Sequence, residues 1–472
     1  MKKLLSASIL VLFWQATPLR AAELPAITHY RLNVEFSLRE QRVSVLANLT
    51  ITNNTGEACT TIPFLLYRLL AVQHINDQSR QPMNFTQQII QLSDAPTLQA
   101  REAVLHLSTP LQPGDSISIS MTYSGFVFGY PEVMAYVNDR IDENYTLLRP
   151  DALSFPVVAE STFTSVIAAS DTRFTYEVSA TVPKGYTAAC GGELLGRYAG
   201  AGGETFAFRS KIPTWRIDLA VARFSVLDDS ANKLLVYHLP NDSTGAGRIL
   251  AASRNAAHLY SRLFGNPKHQ NGYTIIEIPE GWGSQASDFY FLQTAAAFTD
   301  SSRIGEVYHE LGHSWNARPS RDIQRCRYFD EAFASFFEPL AIRSFRGEQA
   351  FEESMEKSRA LFSRRANQAR EVYDTPIADY GKMELGRHSY TKGAWSLYVL
   401  FTLVGEKTFN LIIRTLLTEF DGRTINFREF QSLCENVSKR SLKRFFQEWI
   451  YGTESSRLMI EKVPIAEIAK RY

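Results

Sequence analysis

His309-Glu310-Leu311-Gly312-His313, followed eighteen positions later by Glu331 in the stretch Tyr328-Phe329-Asp330-Glu331-Ala332-Phe333-Ala334-Ser335, decides how this chain is read. On a helix, residues four apart share one face, so the imidazoles of His309 and His313 can converge on a single metal ion. Zinc favours tetrahedral N/O coordination, and a catalytic site uses three protein ligands with the fourth corner left to water. Glu310, one residue on from His309, is not a third ligand at this spacing. It points towards the water, where a carboxylate takes a proton. Glu331 is the best candidate for the third ligand. The pattern reads as a hydrolase site for one Zn²⁺ ion.

The flanks extend this reading. Ser314 and Trp315 continue the metal helix, and Pro319 is expected to end it. A second helix fits Phe329 to Ile342, with Ala332, Phe333, Phe336, Phe337 and Leu340 on its apolar side and Pro339 expected to kink or shorten it. Asp330 and Glu338 are candidates to accept from the outer ring nitrogens of the ligand histidines, with helix-surface salt bridges as the alternative for each.

At this point the chain resembles the aminopeptidase N family of gluzincin zinc metallopeptidases. Tyr328 to Glu338 follows that family's W-L-N-E-G-F-A-x-Y-x-E helix, with Asp for Asn and Ala for Gly. The loop from His313 to Glu331 is one residue shorter than the family pattern. His388-Ser389-Tyr390-Thr391-Lys392-Gly393-Ala394 looks like the family's Y-x-K-G-A signature, which implies that Tyr390 donates a hydrogen bond to the tetrahedral intermediate. A phenol supplies such a donor without adding net charge. Leu148 to Pro156 is similar to an A-R-x-x-F-P-C segment, and Leu442 to Ile450 to an F-F-x-x-W helix. His388 could hydrogen-bond the product, although a packed or exposed His is the plainer reading.

One family feature is missing. Where relatives carry Gly-x-Met-Glu-Asn, whose Glu binds the substrate's α-amine, this chain has Pro279-Glu280-Gly281-Trp282-Gly283-Ser284-Gln285-Ala286-Ser287. Gln285 or Ala286 stands where that Glu should be, and the second amine anchor would fall near Leu147 or Leu148. Glu280, Gly283 and Gln285 are the candidates for substrate binding.

Lengthwise, 472 residues suffice for two or three domains and a large core. A formal net charge of +1 offers no electrostatic case for nucleic acid or an anionic membrane. Residues 1-22 read as an export signal: Lys2 and Lys3, an apolar stretch from Leu4 to Trp14 too short to span a bilayer, and Ala21-Ala22 for cleavage. Localisation in a bacterial periplasm or the medium follows, with no stable membrane insertion after cleavage. Export makes Cys59, Cys190, Cys326 and Cys434 disulfide candidates, while buried free thiols are expected for at least two.

The expected fold class is α+β. Period-two alternation at Leu32, Val34, Phe36, then Val43, Val45, Ala47, predicts a largely antiparallel β domain over 23-230, which the resemblance makes saddle-shaped. A thermolysin-like, mainly helical catalytic domain follows over 231-455, then a tail over 456-472, without the large carboxy-terminal domains of longer relatives. A helix is expected over Arg248 to Phe264 and a strand over Tyr273 to Ile278, which the resemblance makes the edge that pairs with an extended peptide. Function reads as peptide-bond hydrolysis by metal-activated water, aminopeptidase-like. The alternatives are an endopeptidase or modified-substrate peptidase, and a non-catalytic peptide-binding protein with a structural zinc. Residue preference and oligomeric state are not legible.

Overall fold

The computed structural model describes residues 24–170, 172–200, 202–267 and 272–472. The export signal read at 1-22 lies outside them.

The amino-terminal half is built from sheets, as the alternation predicts. Seven strands form one sheet in the order Glu193–Gly200, Gly203–Arg209, Thr175–Val182, Ala26–Ser37, Arg42–Thr52, Ser116–Phe126 and Leu70–Asn76. All neighbours are antiparallel except Ala26–Ser37 beside Thr175–Val182, which run parallel. Leu32, Val34, Phe36, Val43, Val45 and Ala47 all turn inward and are buried. A four-stranded sheet packs on this core; its longest strand, Ala95–Leu111, alternates imperfectly, its period-two pattern breaking repeatedly. A third, three-stranded sheet (Thr187–Cys190, Leu219–Ala222, Thr146–Leu148) is wholly buried apart from Thr187.

The second half begins with a mixed five-stranded sheet in the order Ser225–Asp229, Leu234–His238, Tyr273–Ile278, Tyr290–Thr294, Gln285–Ala286. Tyr273–Ile278 has the expected bounds but not the expected place. It lies between two parallel neighbours, with every residue buried, so its backbone groups are already paired. The edge on this side is Gln285–Ala286, which pairs with Tyr290–Thr294 alone. Helices then dominate: Ser243–Phe264, Ile304–Gly312, Phe333–Arg346, Glu348–Gln368 and Ala394–Val404 enclose the main core. The Tyr260 hydroxyl lies 3.0 Å from the carbonyls of both Tyr308 and Phe337 and so joins three of these helices. Residues 456-472, expected as a tail, are instead docked: Glu454–Ile460 and Ile465–Ala469 are helices whose Leu458, Met459 and Ile468 are fully buried. Among the described residues no single helix is long and apolar enough to cross a membrane. The four cysteines are free thiols, three of them buried.

Candidate active site

The metal helix is shorter than expected. Its α-helical part closes at Gly312, a 3-10 turn carries His313 to Trp315, and Pro319 already belongs to a short strand. The i, i+4 spacing still brings the two imidazoles together, with ring centroids 5.0 Å apart. Glu331 arrives on a π-helical turn, Tyr328–Ala332, that leads into Phe333–Arg346. Pro339 sits within that helix without ending it. A π turn holds one more residue than an α turn, and it occurs here beside a loop one residue short.

Glu331 Oε2 lies 3.2 Å from His309 Nε2 and 3.7 Å from His313 Nε2. Donors about 2.0–2.1 Å from a tetrahedral zinc stand roughly 3.3 Å apart, so these three atoms fit that ion. They form a group of His and carboxylate donors within 4.8 Å of one another. Charge agrees with geometry. Burial disfavours protonated imidazoles, yet Asp330 and Glu331 outweigh it and push His313 up to about 9; Glu331 likewise raises His309. A field that holds protons on both rings equally favours a divalent cation that displaces them.

Both expected outer partners lie beside the histidines. Asp330 Oδ1 is 2.7 Å from His313 Nδ1, within hydrogen-bond reach, whereas Glu338 stands 3.9 Å from His309 Nδ1, beyond it. Glu310 is buried, and burial, opposed by the two imidazoles, pushes it up to about 7. Tyr390 rides on a second π turn, Ser389–Gly393, its ring stacked parallel to His309 at 5.7 Å. Burial and Glu331 raise its pKa, so the phenol keeps its proton. His388 points away into the core, buried and pushed down to about 4 by burial, and is not beside the cleft. Cys326 is also buried, and burial raises its thiol to about 11, so it keeps its proton at neutral pH.

All of these groups except His388 and Cys326 line one cleft of about 1680 Å³ between the two halves. Glu280, Gly283 and Gln285 line it too. Glu280, however, is committed: it pairs with Arg303 at 3.1 Å and accepts from Ala296 N at 3.1 Å. Gly283 adopts φ +71°, where a Cβ would also crowd the Tyr136 ring. Gln285 Nε2 donates to Asp151 Oδ1 at 3.0 Å. Asp151 lies inside the Leu148 to Pro156 segment, at one of the motif's unspecified positions. Its other oxygen takes Arg216 at 2.9 Å, and although burial opposes ionisation, Arg216 and Arg149 hold its carboxyl down at about 2. A permanent carboxylate therefore faces the cleft beside the edge strand. Arg149, the Arg of that motif, does not reach the cleft but locks its wall, pairing with Asp139 at 2.8 Å and donating to the Trp282 carbonyl at 3.0 Å.

Residues 287–449 match the family profile described as peptidase family M1 domain. His309, Glu310, His313, Glu331 and Tyr390 all lie within that match. With this donor set the chain is a zinc metallopeptidase. The M1 fold extends to the other half as well. The M1 zinc metallopeptidase of Deinococcus radiodurans superposes with TM-score 0.65 at 17% identity, over 93% of this chain and 95% of that one. A mutant of that enzyme bound to a Tyr-Ser-Ala substrate gives 0.63 at 17%, with the same coverage. Native yeast LTA4 hydrolase gives 0.65 at 15%, over 91% of this chain and 68% of its own. No curated protein matches the chain significantly in sequence.

Proposed function

We propose that this M1 chain is an exported aminopeptidase using one zinc ion held by His309, His313 and Glu331. Zinc, when bound, supplies Lewis acidity to the scissile carbonyl and lowers the pKa of water from 15.7 to about 7. Glu310 lies next to the ligand set with its pKa raised to about 7, and so can accept a proton near neutrality and deliver it to the leaving amine. Tyr390 donates its hydroxyl hydrogen to the oxyanion as charge builds there. The observation that carries catalysis over mere metal storage is that a buried base and a half-exposed phenol flank the same ligands at the cleft. A structural zinc site needs neither.

Amine recognition is the finer part of the proposal. An α-ammonium needs acceptors and gains most from a charged one, worth about 1.5–3 kcal/mol. Gln285 Oε1 is a buried acceptor with no partner at the edge strand, and Asp151, already bonded to Gln285 and Arg216, places a carboxylate beside it. The Deinococcus enzyme's complex with a free peptide supports a peptide substrate by analogy. Export rests on the basic and apolar pattern of the first 22 residues. A panel of amino-acid amidocoumarins with free and acetylated amines tests the reading. Free-amine substrates should be cleaved in a chelator-sensitive way and acetylated ones left intact. Equal cleavage of both would make the enzyme an endopeptidase, and no cleavage of any peptide would leave a binding protein.

A further inference from the structure

We propose that Arg327 is a positioning residue that makes Glu331 a one-oxygen metal ligand by tying its other oxygen to Asp330. Arg327 Nη2 bonds Glu331 Oε1, the oxygen turned away from the imidazoles. The same guanidinium reaches Asp330 Oδ2 with Nη2 at 2.8 Å and Nε at 3.2 Å. Asp330 in turn spends its other oxygen on His313 Nδ1 at 2.7 Å. One planar cation thus joins the ligand Glu331 to the carboxylate behind the ligand His313, and only a guanidinium has donors spread in a fork able to do so.

The backbone is arranged for it. Arg327 adopts φ +55°, a left-handed conformation unusual for a side-chain-bearing residue, and its carbonyl accepts from Glu331 N at 3.0 Å and Ala332 N at 3.3 Å. The π turn that carries both carboxylates therefore starts from this residue. Gly386 packs against this segment: a Cβ there would meet the Arg325 carbonyl oxygen first, at 2.3 Å, and then Arg327 Cγ, at 2.9 Å.

The physical need comes from neighbouring charge. Asp330, partly exposed, and Glu331, buried, are adjacent carboxylates, and like charges at that range repel. Without a cation between them, Glu331 is free to turn its second oxygen onto the ion as a fifth donor beside the water, which crowds the corner that catalysis leaves open. Arg327 cancels the repulsion and holds the rotation.

The inference rests on the zinc reading, and its test keeps the two apart. Cobalt(II) replaces zinc in the purified full-length chain, and visible absorption reports its coordination number. The parent should bind one cobalt with the intense bands of four-coordination. R327M should bind cobalt with those bands weakened by roughly half or more, as a fifth oxygen joins the ion. R327K, which keeps the charge and loses the fork, should shift in the same direction, and serves alone if R327M fails to fold. Stoichiometric binding with parent-like bands in both variants overturns the role of Arg327. A parent that binds neither zinc nor cobalt overturns the peptidase reading, and this inference with it.

Discussion

Glu310 and Tyr390 stand on opposite sides of one reaction coordinate, and conservative replacements separate them. Glu310→Gln keeps the shape and loses the proton acceptor. Zinc content by atomic absorption should match the parent while turnover falls about 10²–10⁴-fold, the worth of a positioned general base. Tyr390→Phe removes a single oxyanion donor and should lower kcat by roughly 10²–10³, with KM little changed. An unaltered kcat would take Tyr390 out of the chemistry. His309, Glu310 and His313 were legible because they sit at fixed spacings on one helix, where sequence distance is spatial distance, whereas Tyr390 was legible only through the Y-x-K-G-A resemblance. Asp151 and Arg327 were not legible as site residues. Asp151 meets Gln285 across 134 positions, and Arg327 acts through a left-handed backbone that no side-chain pattern announces.

Helices were read from apolar periodicity, and most were found in place. The helix expected from Arg248 starts at Ser243 and ends at Phe264 as expected. The π turns were invisible, since an i→i+5 hydrogen bond leaves no periodic mark in a five-residue stretch. They also explain a glycine. Gly393 has ordinary helical φ, so its role is close approach: a Cβ there would stand 2.6 Å from Ala332 Cβ. Two competing terms decide what Gly393→Ala does. Helix propensity would favour Ala by about 1 kcal/mol, whereas overpacking costs about 1–3 kcal/mol and forces the two π turns apart. Overpacking wins. The variant should melt lower and, because Tyr390 and Glu331 ride on these turns, lose activity. Ala332→Gly added to it returns the missing space, so the double variant should regain both melting temperature and turnover.

At the scale of the molecule, α+β order was legible from the change of period along the chain, but lateral position within a sheet was not. Tyr273–Ile278 is apolar enough for a strand, and a run buried on both faces reads the same whether its sides are paired or free. What lies beside it is set by residues far away, such as Tyr145, whose hydroxyl donates to the Glu277 carbonyl at 2.6 Å and fastens the β half to this strand. Glu277 also makes folding sensitive to pH. Its side chain is fully buried, accepting from Leu239 N at 2.7 Å, and burial first, then the Asp242 carboxylate, raises it from 4.5 to about 8. Between those values the folded chain keeps a proton there that the unfolded chain has lost, so this residue's contribution to stability declines as pH rises through the window. Below 4.5 it is protonated in both states, and above about 8 it is ionised in both with the whole penalty present. Glu277→Gln retains an acceptor for Leu239 and cannot ionise. Chemical denaturation at a series of pH values should show the variant gaining on the parent from about pH 5 to 8 and a constant difference beyond. A difference independent of pH would mean that Glu277 is ionised in the folded chain across the window, with a cation or solvent compensating it.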